Sequence, residues 1–259
     1  MQEAMYSALF GALTQEFRLD VIANNLANVN TTGYKKDKLA FVDVFTRFAS
    51  DYVDVNDTIK KRILWPEAKV MSETRLCKQY VGFAQGSLQV TGNPLDLAID
   101  GEGFFKIKTP NGIRYTRDGS FKRDPATGNL VTDHGYLVLG EGGPISIPED
   151  AGKITINEQG EVIANNEVIG KVSVVGVSDL KALVKIGNDL FQLNPNLGKE
   201  VALPKAVVKQ GYLERSNVEV VPEMVRMIET LRTFEALQKT MQSSKEQDDQ
   251  VIRKVGSTT

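Results

Sequence analysis

The sequence predicts an α+β fold in which long N- and C-terminal helices pair as a coiled-coil rod domain, with an antiparallel β domain in the central part of the chain. At each end, apolar residues recur at alternating spacings of four and three, the heptad pattern of helices that bury one face on another helix. The middle has short runs rich in Val, Ile, Phe and Tyr, separated by turn residues. Because no helical pattern separates these runs, we expect an antiparallel barrel or sandwich.

The first helix is predicted from about residue 2 to residue 28. Its heptad seam is Met5, Leu9, Ala12, Glu16, Leu19, Ala23 and Leu26, with Glu16 as a polar break. A second apolar row contains Tyr6, Phe10, Leu13 and Phe17. Two rows indicate either contact with more than one neighbour or burial within one domain.

An asparagine-rich stretch ends this helix. Asn24, Asn25 and Asn28 fall in its last turns, and asparagine is a mediocre helix former. One interpretation is that their amides form hydrogen bonds across a helix interface and fix its register. The other is a frayed, solvated helix end.

The middle of the chain divides into a connecting segment and a β region. Within the connecting segment, residues 51–62 are polar and charged and predict an exposed loop, and Trp65-Pro66 predicts extended backbone. The β pattern runs from about Tyr80 to Tyr212. Asn111-Gly112 and Asp118-Gly119 suit hairpin turns with positive φ.

The second helix is predicted to follow Asn217 and to end at Gly256. Pro222 suits its first turn, and Glu223 suits the positive end of the helix dipole. Its seam is Val220, Met224, Met227, Leu231, Phe234, Gln238 and Met241. Two terminal helices with apolar seams indicate a polymer subunit more than a self-contained enzyme.

These elements predict four segments: a helical rod segment at 1–36, a connecting segment at 37–79, a β domain at 80–212 and a helical rod segment at 213–259. The predicted assembly interface consists of Met5, Leu9, Ala12, Leu19, Ala23, Asn24, Asn25, Leu26, Asn28, Val220, Met224, Met227, Ile228, Leu231, Phe234 and Met241.

Composition and motifs offer little support for catalysis or cofactor binding. The net charge is −2, so no bulk attraction to nucleic acid or to an anionic membrane is expected. One histidine and one cysteine, His134 and Cys77, argue against metal centres and histidine catalysis. Gly101-Glu102-Gly103 precedes a strand-like pair, so it does not open a phosphate-binding helix. We expect no catalytic, cofactor-binding or metal-binding residues.

Two features that the sequence lacks bear on where the protein is expected in the cell. No apolar run of about 18 residues predicts a membrane-spanning helix. The N-terminus is interrupted by charged residues and does not resemble a cleaved secretory signal peptide. If the protein leaves the cytoplasm, we expect a route that needs no such signal.

Four segments resemble motifs of the flagellar basal-body rod and hook family, in family order and across nearly the whole chain. They are residues 23–35 (ANNLANVNTTGYK), 92–105 (GNPLDLAIDGEGFF), 115–121 (YTRDGSF) with 135–137 (GYL), and 211–218 (GYLERSNV) with 223–229 (EMVRMIE). Within the family, the charged, glycine-free segment 46–67 and residues 180–191 favour the proximal rod member over the distal one.

The resemblance implies a non-enzymatic structural subunit. It implies that the helices of many copies and of other rod proteins form an inner tubular wall, with the β domain outside. It also implies export by the flagellar type III apparatus and a place in the rod that crosses the periplasm and transmits torque from motor to hook. The alternative from another class is a secreted β-rich enzyme acting on peptidoglycan, which needs a buried carboxylate pair in a cleft.

Overall fold

The computed structural model describes residues 2–48, 69–165, 167–203 and 206–256. The chain forms two compact units. One contains Met1–Ala23, Lys38–Gln79 and Val221–Thr259, and the other contains Asn24–Asp37 and Tyr80–Val220. The predicted division into four segments stays a prediction. The predicted loop at 51–62 and the extended Trp65-Pro66 pair lie outside the described residues.

Both terminal helices are present where the heptad patterns predict them. Helix α1 is Gln2–Ala27 and helix α2 is Val220–Gly256. Glu223 lies in the first turn of α2, as expected for a carboxylate at the positive end of the helix dipole. No helix in the described ranges is both long enough and apolar enough to cross a membrane.

The rest of the described chain consists mainly of short strands. The strands are β1 (Asp37–Phe48), β2 (Lys69–Val81), β3 (Leu88–Val90), β4 (Leu97–Asp100), β5 (Phe104–Thr109), β6 (Gly112–Thr116), β7 (Lys122–Arg123), β8 (Leu130–Val131), β9 (Leu137–Gly140), β10 (Gly143–Pro144), β11 (Ile154–Ile156), β12 (Glu161–Ala164), β13 (Glu167–Lys171), β14 (Val174–Val177), β15 (Leu183–Lys185), β16 (Leu190–Leu193), β17 (Glu200–Ala202), β18 (Val207–Gln210) and β19 (Tyr212–Glu214). Strands β1 and β2 fall in the connecting segment, for which the sequence pattern predicted no regular element.

The strands form one large sheet and several small ones. The large sheet has the order β15-β16-β6-β5-β9-β8-β7, with β14 also pairing with β5, β17 with β14 and β10 with β9. The small sheets are β11-β12-β13, β18-β4, β19-β3 and β1-β2. The described registers of β3–β19 are antiparallel, as predicted.

The β domain has a continuous apolar core. The central strands β4 and β5 supply Leu97, Phe105 and Ile107, each 0% exposed. Phe105 and Phe121 meet edge to face at 5.1 Å between ring centroids. This core makes the β domain a rigid support for the segments that lie on it.

One of the two predicted hairpin turns is present and the other is wrong. Strands β5 and β6 form a hairpin in which Thr109 pairs with Gly112, and Gly112 has a φ of +105°. Asp118-Gly119 is not a hairpin turn. A Cβ added to Gly119 would lie 1.7 Å from the Leu97 carbonyl oxygen, so glycine serves there to let two backbone segments approach.

The covered faces of the helices share every second residue with the predicted seams, and between these residues the covered position lies one residue earlier than predicted. The less exposed row of α1 is Met5, Ala8, Ala12, Gln15, Leu19, Ile22 and Leu26, and that of α2 is Glu223, Met227, Thr230, Phe234, Leu237 and Met241. Glu16 is exposed and does not interrupt this row. Gly11 approaches Leu237 closely, because an added Cβ would lie 3.2 Å from Leu237 Cδ1.

Candidate functional site

The segments that join the helices to the β strands lie against each other. We call residues 28–37 the N-terminal connector and residues 214–219 the C-terminal connector. The Gly33 N–H donates to the Glu214 carbonyl oxygen at 2.8 Å, and the Lys36 N–H donates to Asn217 Oδ1 at 2.8 Å. The segment after α1 and the segment before α2 are therefore held side by side.

A buried ion cluster lies between the connectors. Lys35 Nζ is 2.5 Å from Glu214 Oε1, and both side chains are 0% exposed. Arg117 Nη1 is 3.2 Å from Glu214 Oε2, and the Arg117 side chain is 5% exposed. Burial lowers the pKa of Lys35 and of Arg117, while the Glu214 carboxylate opposes both shifts. One carboxylate thus pairs with two buried cations.

Residues 82–86 complete the surroundings of this cluster. Lys35 Nζ donates to the Ala84 carbonyl oxygen at 2.9 Å, and the Gly86 N–H donates to Glu214 Oε1 at 2.8 Å. A Cβ added to Gly86 would lie 1.9 Å from the Arg215 carbonyl oxygen. Asn217 Nδ2 donates to the Ala84 carbonyl oxygen at 2.9 Å. Both connectors are therefore bonded to the same short segment.

The asparagines at the end of α1 hold the N-terminal connector. Asn25 is 2% exposed; its Oδ1 accepts from the Asp37 N–H at 2.8 Å and its Nδ2 donates to the Asp37 carbonyl oxygen at 2.9 Å. Asn24 Oδ1 accepts from the Tyr34 hydroxyl at 2.7 Å. Asn25 is therefore not part of a solvated helix end, and its amide serves the chain itself. A role of Asn24, Asn25 and Asn28 between subunits stays a prediction.

Lys185 binds the same connector from the β15–β16 hairpin. Its Nζ lies 3.6 Å from the centroid of the Tyr34 ring and donates to the Lys35 carbonyl oxygen at 3.0 Å. It also pairs with Asp37 Oδ2 at 3.2 Å. Burial, together with the neighbouring Asp37, raises the pKa of Tyr34, so the phenol remains protonated.

Asp189, in the turn of the same hairpin, carries an unfavourable charge. Burial, with a further contribution from Asp118, raises its pKa to about 6. A carboxyl group whose pKa is raised on folding contributes stability that is complete below its unfolded pKa and is lost as the pH rises through the folded value. Ionised Asp189 therefore destabilises the folded protein at neutral pH.

We expect Asp189→Asn to stabilise the protein at pH 7.5 by about 1–2 kcal/mol, after allowance for solvent screening of a partly exposed group. The gain should shrink as the pH falls through about 6 and become small near pH 4. Thermal unfolding across this range measures it. Asp150→Asn, at an exposed aspartate, is the matched control. A gain that does not depend on pH would contradict the assignment.

The acidic residues of the described ranges do not assemble a metal site. No three described His, Cys, Asp or Glu side chains are grouped so as to hold a metal ion. Asp118 accepts hydrogen bonds from Thr32 and Ser120, and Asp96 accepts from Thr91 Oγ1 at 2.6 Å, as turn-forming aspartates do. These carboxylates are used within the fold.

The predicted assembly residues divide into a covered and an exposed set. Covered or half-covered are Met5, Ala12, Leu19, Asn25, Leu26, Asn28, Met227, Phe234 and Met241. Exposed are Leu9, Ala23, Asn24, Val220, Met224, Ile228 and Leu231. The helices therefore retain large apolar side chains on their outer surfaces.

The exposed apolar side chains form one row on each helix. On α1 the row is Tyr6, Leu9, Phe10, Leu13 and Phe17, and on α2 it is Val221, Met224, Val225, Ile228 and Leu231. Their exposures range from 37% at Phe10 to 71% at Val221. Exposed apolar rows on a folded chain are candidate interaction surfaces.

The local sequence patterns do not indicate the ion cluster. Lys35, Arg117 and Glu214 lie 82 and 97 residues apart along the chain, so periodicity does not connect them. The available signal was their position: each is a charged residue inside one of the motif segments. Those segments converge on the connectors.

Comparisons with known proteins cover most of the chain. Residues 5–35 match the family model described as flagella basal body rod protein. Residues 98–164 match the D1 domain of the flagellar hook protein FlgE/F/G, and residues 209–254 match the C-terminal domain of flagellar basal body rod FlgEFG proteins.

Full-length relatives agree with these matches. The flagellar basal-body rod protein FlgF of Caulobacter vibrioides is 34% identical, over 99% of each chain. The flagellar basal-body rod protein FlgG of Bacillus subtilis is 34% identical over 95% of this chain and 96% of its own. FlgG of Borreliella burgdorferi is 36% identical over 94% of this chain and 95% of its own.

Proposed function

Since the chain belongs to the flagellar basal-body rod protein family, as a structural rod subunit and not an enzyme, we propose that it polymerises through the exposed apolar rows of its helices. These rows are the observation that carries the proposal. Each of their side chains is about half exposed, so burying it against another subunit would contribute about 1 kcal/mol. Several such contacts per subunit support a cooperative assembly.

The same rows suggest how the two helices divide their roles. The covered faces carry apolar side chains such as Ile22 and Phe234, and the approach of Gly11 to Leu237 favours pairing of α1 with α2 as a coiled coil within one subunit. The outward rows then remain for other copies and for other rod proteins. Torque would be shared among many such contacts.

The proximal rod position is a further part of the proposal. FlgF and FlgG relatives match at similar identity, so similarity does not separate the two. The glycine-free charged segment 46–67 and residues 180–191 favour FlgF. Export by the flagellar type III apparatus and a position spanning the periplasm complete the proposal.

Ile228→Glu tests assembly through the helices. Ile228 is 52% exposed, so the substitution should leave the monomer folded and place a carboxylate in an apolar contact between subunits. We expect swimming of a complemented deletion strain to fall at least about tenfold in soft agar. Immunoblots of the exported fraction check that the protein reaches its site.

The matched control is Val168→Glu in β13, where Val168 is 62% exposed on the β domain. This variant should swim like the parent. Normal motility with Ile228→Glu, or equal losses for both variants, would refute assembly through the exposed helix rows.

A further inference from the structure

The ion cluster between the connectors is asymmetric in charge. Glu214 is the one carboxylate that bonds Lys35 or Arg117 within the described residues. Arg117 has additional support, because its Nη2 donates to the Gly101 carbonyl oxygen at 2.8 Å and its guanidinium lies 5.2 Å from the Phe104 ring centroid. Among the described residues, the Lys35 ammonium group bonds the Ala84 carbonyl oxygen besides Glu214.

This arrangement has different consequences for the two connectors. If the C-terminal connector detached alone, Glu214 would leave, and Lys35 would remain buried without a counter-ion. An unpaired buried ammonium group is strongly unfavourable, so the N-terminal connector would have to detach as well. In Lys35→Met the side chain is uncharged, so the N-terminal connector could stay docked after the C-terminal connector detached.

We propose that Lys35 is a positioning residue that makes docking of the N-terminal connector depend on docking of the C-terminal connector. Lys35, Glu214 and Arg117 thus form an electrostatic latch that acts in one direction, because Glu214 keeps Arg117 as a partner when Lys35 leaves. Its function is to exclude chains in which the end of α1 is docked while the beginning of α2 is free. The latch belongs to the isolated chain and does not depend on the rod assignment.

Two backbone amides report on the connectors separately. The Asp37 N–H donates to Asn25 Oδ1 at 2.8 Å and reports on the N-terminal connector. The Arg215 N–H donates to the Ser87 carbonyl oxygen at 2.9 Å and reports on the C-terminal connector. Neither bond crosses from one connector to the other, so each amide senses only its own segment.

Native-state hydrogen exchange in increasing sub-denaturing urea tests the latch in the full-length monomer. In the parent, the C-terminal connector cannot open unless the N-terminal connector opens as well, so Arg215 should be at least as protected as Asp37 at each urea concentration. In Lys35→Met, the C-terminal connector can open alone. Arg215 should then become at least about tenfold less protected than Asp37.

Lys36→Met is the matched control, because the Lys36 side chain takes no part in the cluster. In this variant Arg215 should remain at least as protected as Asp37, as in the parent. Lower protection of Arg215 than of Asp37 in the parent, or Arg215 as protected as Asp37 in Lys35→Met, would overturn the proposal. An unfolded Lys35→Met chain would also overturn the proposal, because this substitution leaves the Arg117–Glu214 pair intact.

Glu214→Gln gives an independent result. It leaves both cations without a carboxylate, so protection at Asp37 and Arg215 should fall by the same factor, at least about tenfold. A loss confined to Arg215 would show that the connectors are independent. Since no readout involves assembly, failure of the latch and failure of the rod proposal are distinguishable.

Discussion

Gly33→Ala is expected to destabilise the protein by about 3 kcal/mol or more, a large effect for one added methyl group. Gly33 has a φ of +68°, and an added Cβ would lie 2.3 Å from the Asp118 backbone nitrogen and 2.6 Å from the Arg117 carbonyl carbon. Backbone atoms cannot rotate away as side chains do. The connector would have to lift from the β domain and weaken the bonds around it.

Two contributions add up in Gly33→Ala: the strain of a positive φ and the clash of the added Cβ with backbone atoms. Gly135→Ala measures the first of them alone. Gly135 has a φ of +78° but nothing within 4 Å of an added Cβ, so it pays only the conformational cost of about 1 kcal/mol. Urea unfolding of both full-length variants gives the comparison. Equal losses would mean that the close approach of Gly33 to residues 117–118 is not tight in solution.

Leu231→Pro is expected to abolish rod assembly while the β domain stays folded. Proline in a helix interior removes a backbone hydrogen bond, clashes with the preceding turn and costs about 3 kcal/mol or more. Leu231 lies well inside α2 and is 41% exposed on its apolar row. The break would interrupt both the covered and the exposed rows. Swimming assays and electron microscopy of basal bodies measure the loss.

Leu231→Ala distinguishes a broken helix from a lost contact. Alanine is the best helix former, so α2 should remain intact with one apolar side chain removed. Its swimming defect should be clearly weaker than that of the proline variant. Normal swimming of Leu231→Pro cells would show that assembly does not require a continuous α2.

The helices were predictable because their signal is local and repeated. The pattern predicted α1 to residue 28, and it ends at Ala27; it predicted α2 to end at Gly256, as observed. The covered row was harder to identify. Apolar residues occupy two adjacent rows on each helix, and the heptad pattern selected the larger side chains. At some of these positions the folded chain covers a smaller or polar neighbour instead, such as Ala8 in place of Leu9 or Thr230 in place of Leu231.

The candidate site depends on contacts that no local pattern contains. Asn25 could be assigned to a helix interface or to solvent from its sequence, yet it binds the backbone of Asp37. Gly119 predicted a turn, yet it allows close approach of the Leu97 backbone. In each case the residue type was informative, but its partner is set by the tertiary fold.

The hydrogen bond between the Gly33 N–H and the Glu214 carbonyl oxygen places the beginning and the end of the intervening 180 residues at neighbouring points. Topologically, the β domain is an insertion between the two connectors. Insertions or deletions in surface loops far from the connectors leave the spacing between the two connectors unchanged. The β domain can therefore diversify in size and surface while the connectors keep one geometry. The same property makes the solvent-exposed hairpin at Pro110-Asn111 a suitable place to graft a foreign domain or label.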